Sequence, residues 1–160
     1  MQVVIRKMRA HDLERVTAIF AFWSMAPAPA SATLPDPELL AIPIDTTFVA
    51  VVDGMIVGVG SYILVGDDRG QTLVLAVDPA YHIAGIGTGL QTARLGEMKA
   101  LGIVEVQTDA DRPEAIEWYV KKFGYRVVGR KPKKHTFGLE GVDHWPVLEL
   151  DLRTWTPKLR

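Results

Sequence analysis

The fold is decided by residues 72–90, TLVLAVDPAYHIAGIGTGL, where an apolar run leads through a proline turn into closely spaced glycines. The apolar side chains of residues 73–77 suit a buried strand, and Asp78-Pro79 ends it. Three glycines follow: Gly85, Gly87 and Gly89. Because these positions lack Cβ atoms, backbone N–H groups there can approach an anion closely. An amphipathic helix expected over about 87–101 adds its positive end and its unpaired N–H groups. The segment therefore predicts a strand, a phosphate cradle and a helix in succession.

This glycine spacing differs from the best-known phosphate-binding motifs. No Lys-Ser or Lys-Thr follows the glycines, so the lysine and hydroxyl of a P-loop are missing. The dinucleotide fingerprint G-x-G-x-x-G also fails, since the next glycine after Gly89 is Gly96. A methyltransferase-type glycine loop would open its domain, whereas here about half of the chain comes first. For the glycines alone, the alternative is a tight strand-to-helix turn that binds no ligand.

Two blocks of sequence resemble one family. The run His82-Ile83-Ala84-Gly85-Ile86-Gly87 resembles the acyl-CoA motif Arg/Gln-x-x-Gly-x-Gly/Ala of the GNAT superfamily of N-acetyltransferases. Residues 111–125, DRPEAIEWYVKKFGY, resemble a second motif of that family, with its tyrosine and Gly-aromatic ending. The resemblance covers most of the chain and is strongest over residues 47–125. It implies an α/β fold, with a mixed, bent and splayed β-sheet of about six or seven strands flanked by helices.

The same resemblance implies acetyl-CoA as the acyl donor and indicates which residues hold it. Main-chain groups of the strand would pair with the pantetheine amides, and the glycine loop would hold the pyrophosphate. The cofactor-binding residues expected in this way are Leu75, Ala76, Val77, His82, Ile83, Ala84, Gly85, Ile86, Gly87, Thr88, Arg112 and Tyr119. His82 stands where the family has Arg or Gln, and a neutral imidazole attracts phosphate less strongly than a guanidinium. We therefore expect a weaker or pH-sensitive affinity, unless His82 is only a solvent-facing turn residue. Arg112 replaces a common asparagine of the family.

Acyl transfer to an amine needs a free amine, a polarised thioester carbonyl and a proton for the leaving thiolate. The resemblance makes Tyr119 the proton donor; the alternative is that its ring packs beside Ile116 and Phe123. The family's glutamate corresponds best to Gln107, and an amide cannot accept a proton from an ammonium group. Its strand neighbours Glu105 and Asp109 share one face, so either can act as the base through water, or both are simply solvated.

Composition limits the number of domains, the kinds of partner and the compartment. With 160 residues, 48% hydrophobic and 23% charged, the chain suits a single domain over 1–160. A net charge of −1 gives no general field for nucleic acid or a membrane surface. The absence of cysteine excludes disulfides and thiolate catalysis, and three of the histidines show no metal-ligand spacing: His11, His135 and His144. Charge interrupts the N-terminal run before a signal-peptide core can form, so we expect a cytoplasmic protein without a bound metal.

The hydrophobic pattern predicts the element order β-α-loop-β-β-β-α-β-α-β-β. Strands are expected at 3–6, 47–52, 55–65, 73–77, 103–108, 125–129 and 147–152, and helices after Asp12, at 87–101 and at 113–123. Asp53-Gly54 is a strong signal for a two-residue hairpin turn, and 66–70 is expected to form a second turn. The Ala/Pro-rich stretch 25–43 predicts little regular structure beyond a short helical turn at 37–41.

Three further features each leave two interpretations or suggest an assembly. A basic run late in the chain would attract an acidic substrate or lie solvated: Arg126, Arg130, Lys131, Lys133, Lys134 and His135. An apolar cluster would line an acceptor pocket or pack in the core: Phe20, Phe22, Trp23 and Met25. Trp145 and Trp155, with the family resemblance, suggest a homodimer. The family resemblance therefore implies an N-acetyltransferase acting on a small-molecule or peptide amine, with a non-catalytic CoA-binding module and a methyltransferase as alternatives.

Overall fold

The computed structural model describes residues 2–23, 42–81, 85–110, 112–132, 141 and 143–157. Its strands are β1 (Val3–Lys7), β2 (Thr47–Val52), β3 (Met55–Leu64), β4 (Arg69–Val77), β5 (Glu105–Asp109), β6 (Arg126–Pro132) and β7 (His144–Asp151). Its α-helices are α1 (Leu13–Phe22), α2 (Ile86–Ala100) and α3 (Pro113–Trp118), and a π-helical turn at Tyr119–Phe123 follows α3 directly. The order of elements is the one that the hydrophobic pattern predicts.

The strands form one mixed, open sheet in the order β1-β2-β3-β4-β5-β7-β6. The β4–β5 pair is parallel, whereas β1–β2, β2–β3, β5–β7 and β6–β7 are antiparallel. Helices flank this sheet, so the expected α/β fold is confirmed, with seven strands in the described part of the chain. The β4–β5 ladder is short: it runs from Arg69↔Glu105 to Gln71↔Gln107, and β4 continues beyond it to Val77.

Two predicted boundaries were wrong for identifiable reasons. Gly70 was expected in a turn, but it is buried inside β4, where an added Cβ would lie 2.5 Å from Met98 Sδ. This glycine therefore serves close packing rather than a turn. Ile103 and Val104 precede β5 because their N–H groups donate to the carbonyl oxygens of Met98 and Asp68, which draws them into the connection leaving α2.

Contacts concentrate in two compact units, Met1–Tyr62 with Val74–Arg94, and Ile63–Leu73 with Leu95–Arg160. In the first unit, alternating side chains of β2 contribute to two buried clusters. One cluster joins α1 to the sheet through Val16, Ile19, Phe20, Val49, Val59 and Ala76. The other joins α2 to the sheet through Ala50, Val52, Val57, Ile86 and Leu90. Helices α1 and α2 thus cover opposite faces of these strands.

Asp12 precedes α1 as predicted, but its side chain makes no capping bond to that helix. The buried carboxylate instead accepts hydrogen bonds from the Arg6 guanidinium, at 2.8 and 3.2 Å, and from the Arg9 N–H, at 2.8 Å. These bonds, that of Arg6 first, lower the pKa of Asp12 to about 2. The residue therefore fastens the end of β1 to the start of α1 as a permanent anion.

Candidate active site

The turn after β4 is organised by Asp78. Its Oδ1 accepts a hydrogen bond from the Ala80 N–H at 2.9 Å, and its carbonyl oxygen accepts one from the Tyr81 N–H at 2.8 Å. These bonds close a single 3-10 turn at Pro79–Tyr81. The chain then reaches α2 through Gly85, whose φ of +107° is a conformation that L side chains rarely adopt. The expected glycine-dependent turn is therefore present at this position.

The start of α2 offers the donors that an anion needs. The first helical hydrogen bond runs from the Gly89 N–H to the Gly85 carbonyl oxygen at 2.8 Å, so the N–H groups of residues 86–88 precede it. The first turn contains no acidic residue, and none of the described residues places an atom within 4 Å of the position that a Cβ at Gly85 would occupy. A diphosphate fits this open, electropositive helix start. Thr88 is half-buried in that turn, whereas His82, Ile83 and Ala84 lie outside the described residues.

The edge of β4 carries an outward-facing carbonyl group just before this cradle. The Asp78 N–H donates to the Val57 carbonyl oxygen on β3 at 2.7 Å. Because the C=O and N–H of one trans peptide point in opposite directions, the Val77 C=O points away from β3. Alternation along the strand gives the Leu75 C=O the same direction. Main-chain acceptors on this edge suit a ligand that carries amide N–H groups.

Trp23 already contacts this edge. Its indole Nε1–H donates to the Val77 carbonyl oxygen at 2.9 Å. The side chain is half-buried and packs against the buried cluster that joins α1 to the sheet. Neighbouring Phe22 is 63% exposed and meets the indole edge-on, with ring centroids 5.3 Å apart. The proposed apolar cluster is thus divided: Phe20 belongs to the core, Phe22 is exposed, and Met25 lies outside the described residues.

Arg15 holds the cradle turn from α1, a role that the sequence pattern did not reveal. Its Nη2 lies 2.5 Å from Asp78 Oδ2, and its Nε–H donates to the Ile56 carbonyl oxygen at 2.9 Å. The Ala80 N–H and then the Arg15 guanidinium lower the pKa of Asp78. The turn is therefore fixed by an ionised carboxylate. A surface arginine on an amphipathic helix gives no local signal of such a partner.

On β5, alternation is as predicted: Val106 and Thr108 are buried, and Glu105, Gln107 and Asp109 are half-buried on the other face. Glu105 lies opposite Arg69, the first residue of β4, and their side chains form an ion pair at 2.8 Å. A hydrogen bond from Glu149, followed by the charge of Arg69, lowers the pKa of Glu105, and the same carboxyl contact raises the pKa of Glu149. Glu105 is thus already engaged at the beginning of the ladder.

Asp109, the last residue of β5, has a different environment. Its Oδ2 lies 2.7 Å from Lys131 Nζ on β6, which gives one lysine of the basic run a partner. Its Oδ1 is buried and has no hydrogen-bond partner among the residues that the structure describes. One oxygen of this carboxylate is therefore held by Lys131, and the other is buried without a hydrogen-bond partner in the described chain.

Tyr119 opens the π-helical turn after α3 and is 7% exposed. Its ring meets Trp118 and Tyr125 edge-on, with centroids 5.0 and 5.1 Å apart. Arg112 lies at the N-cap of α3, and its carbonyl oxygen accepts hydrogen bonds from the N–H groups of Ala115 and Ile116. Tyr119, Arg112 and the β5 carboxylates belong to the second unit, whereas the β4 edge and the cradle belong to the first.

Other features of the described chain narrow the possible sites. Within these ranges no group of three or more His, Cys, Asp or Glu could hold a metal ion. No helix in the same ranges is long and apolar enough to cross a membrane. Trp155 is 8% exposed, so it presents little surface for the expected homodimer, whereas Trp145 is half-buried on β7. In the basic run, residues 133–135 fall outside the described chain.

A strand edge with outward carbonyl groups, followed by a glycine cradle at a helix start, suits a cofactor with a peptide-like arm and a diphosphate. The family model of the acetyltransferase (GNAT) family matches residues 16–125, more than half of the chain. The chain therefore belongs to the acetyltransferase (GNAT) family. It is an N-acetyltransferase with acetyl-CoA as its acyl donor, which confirms both expectations from the sequence. None of the curated proteins compared with it matches.

Solved structures share the fold at low identity. Ard1 from Thermoplasma volcanium is 21% identical, with a TM-score of 0.73 over 94% of this chain and 98% of that one. The ribosomal-protein-S18-alanine N-acetyltransferase from Escherichia coli is 16% identical, with a TM-score of 0.73 over 99% of both chains. Naa50 from Arabidopsis thaliana, in complex with the bisubstrate analogue CoA-Ac-MVNAL, is 18% identical, with a TM-score of 0.70 over 94% of this chain and 99% of that one.

Proposed function

We propose that the protein transfers the acetyl group of acetyl-CoA directly to a primary amine of a small molecule or a peptide. The observation that carries this proposal is the junction of β4 and α2, where an outward carbonyl edge leads through a glycine at φ +107° into a helix start without acidic residues. Acetyl-CoA supplies an activated thioester, so the protein has to bind it, orient the amine and move two protons.

The residues proposed to hold the donor divide by chemistry. Main-chain groups of Leu75, Ala76 and Val77 pair with the amides of the pantetheine arm of acetyl-CoA. The outward direction of the Val77 C=O supports this role. The N–H groups of the cradle bind the diphosphate, with Gly85, Ile86, Gly87 and Thr88 at the helix start. His82, Ile83 and Ala84 complete the cradle by resemblance alone. Arg112 is a proposed cofactor contact at the start of α3.

Asp109 is the better candidate for the base. Its Oδ1 is buried without a hydrogen-bond partner in the described chain, whereas Glu105 is committed to Arg69 and Glu149. Through Oδ1, Asp109 can accept the ammonium proton, directly or through water. Lys131 binds Oδ2, which orients the carboxylate and leaves Oδ1 available. With this assignment, Glu105 has a structural role in its ion pair with Arg69.

Tyr119 is the proposed proton donor to the leaving thiolate. Two aromatic neighbours, Trp118 and Tyr125, fix its ring, so its hydroxyl has a defined position. Such packing would also occur around a purely structural tyrosine, and a hydroxyl-specific test is needed to separate the roles. Phenylalanine provides it, because it preserves the ring and removes only the donor.

Assay of thiol release with a panel of amines tests the function. The panel contains peptides with free N-termini and small-molecule amines, since the similar solved structures include a ribosomal-protein alanine N-acetyltransferase and a peptide-bearing bisubstrate complex. We expect amine-dependent release, with an acetylated product seen by mass spectrometry. Acetyl-CoA binding without amine-dependent release across the panel would favour the non-catalytic module instead. The homodimer and the cytoplasmic location stay predictions; the monomer mass in light scattering would reject the dimer.

A further inference from the structure

Trp23 occupies a main-chain acceptor on the edge where the donor's arm is proposed to pair. The indole lies at the C-terminal end of α1, and its N–H donates to the Val77 carbonyl oxygen at 2.9 Å. The peptide that carries this oxygen is anchored on its other side, since the Asp78 N–H donates to Val57 on β3. The acceptor therefore has a fixed, outward direction.

From this contact we propose that Trp23 caps the β4 edge in the free protein and that the arm of coenzyme A displaces the indole from Val77. The inference rests on the proposed function, because it takes the β4 edge as the site of the arm. Each amide N–H of that arm needs an acceptor once it leaves water. An indole and an amide N–H that approach one carbonyl oxygen along the strand-pairing direction compete for the same space.

The neighbourhood of Trp23 favours displacement over a permanent structural contact. Although the indole packs against the cluster that joins α1 to the sheet, it is only half-buried, and its neighbour Phe22 is 63% exposed. The end of α1 is therefore less buried than the preceding core residues of the helix, which are at most 2% exposed. By contrast, the turn residue Asp78 is held by Arg15, by Ala80 and by β3 at once. The carbonyl is thus the fixed partner and the indole is the one that moves.

Trp23→Phe tests this directly, because phenylalanine keeps an aromatic ring and loses the N–H donor. Calorimetry should show coenzyme A binding about 2- to 10-fold more tightly, the equivalent of one ordinary hydrogen bond that no longer has to be broken. Adenosine 3′,5′-bisphosphate, which lacks the arm, should bind the variant and the wild type equally. The matched control Trp145→Phe, on β7, should change neither affinity.

A second measurement follows the wild-type protein and uses the variant only to assign one signal. The chain has four tryptophans, and the indole N–H signal missing from Trp23→Phe identifies Trp23 in a two-dimensional NMR spectrum. Saturating coenzyme A should shift that signal and speed its exchange with water. An unmoved Trp23 signal, or equal coenzyme A affinity in the two proteins, would overturn the inference while leaving the proposed function intact. Failure of both proteins to bind coenzyme A would instead overturn the proposed function, and the inference with it.

Discussion

Replacement of Gly85 by alanine should weaken acetyl-CoA binding through the backbone alone. The residue has φ +107°, and an added Cβ would meet no atom of the described residues within 4 Å, so the change introduces conformational strain without a clash among them. A non-glycine residue in such a region costs about 1–3 kcal/mol. If the free loop relaxes away from this conformation, binding has to restore it, and that cost corresponds to a roughly 5- to 150-fold higher Kd. Calorimetric titration with acetyl-CoA measures the change.

Gly102 provides a matched control beyond the other end of α2. It has φ +86°, and in the described part of the chain no atom lies within 4 Å of an added Cβ, so Gly102→Ala introduces the same kind of strain away from the cradle. We expect Gly102→Ala to lower thermal stability without changing the affinity. Gly85→Ala should lower the affinity with a smaller loss of thermal stability, because its loop relaxes in the free protein. Wild-type affinity in a folded Gly85→Ala protein, or equal losses of affinity in both, would refute the assignment of the cradle.

Three further predictions follow from single side chains. Tyr119→Phe should lower turnover by roughly 10²- to 10⁴-fold in steady-state kinetics while calorimetry shows nearly unchanged acetyl-CoA affinity; unchanged turnover would remove it as the acid. Asp109→Asn should lower kcat far more than Glu105→Gln; the reverse ranking would contradict the choice of base. Asp12→Asn should cost about 2 kcal/mol of unfolding free energy near neutral pH in urea titrations. The pKa of Asp12 is lowered to about 2, so its stabilisation is full above its unfolded pKa and is lost as the pH falls through the folded value. The wild type and Asp12→Asn should therefore approach the same stability in acid. A difference that stays constant with pH would exclude the ionised Asp12 carboxylate as the cause.

Local patterns account for what could be predicted. The strand, the proline turn and the glycine-bearing helix start of residues 72–90 depend on neighbours in sequence, so periodicity and turn chemistry were sufficient to find them. The hairpin turn is another such case, since Asp53 and Gly54 have φ of 51° and 77°, as a two-residue turn of this kind requires. The same reasoning placed Asp109 and Glu105 on one face of β5.

Contacts between residues that are distant in sequence account for the features that could not be predicted. Trp23 and Val77 are 54 positions apart, and Arg15 and Asp78 are 63 apart, so no local pattern indicates either pair. Glu105 and Asp109 look equivalent in sequence, and their distant partners separate them: Arg69, 36 positions away, pairs with Glu105, whereas Lys131 pairs with Asp109. Gly70 looked like a turn residue in the sequence. The fold brings the buried sulfur of Met98 beside it, and no local pattern indicates that contact.

The most direct test of the central claim is a calorimetric titration of the wild-type protein with acetyl-CoA, coenzyme A and S-adenosylmethionine. The β4 edge and the cradle at the start of α2 predict saturable, one-to-one binding of both coenzyme A compounds and no binding of S-adenosylmethionine. Binding of S-adenosylmethionine in their place, or an absence of binding by acetyl-CoA, would contradict the account.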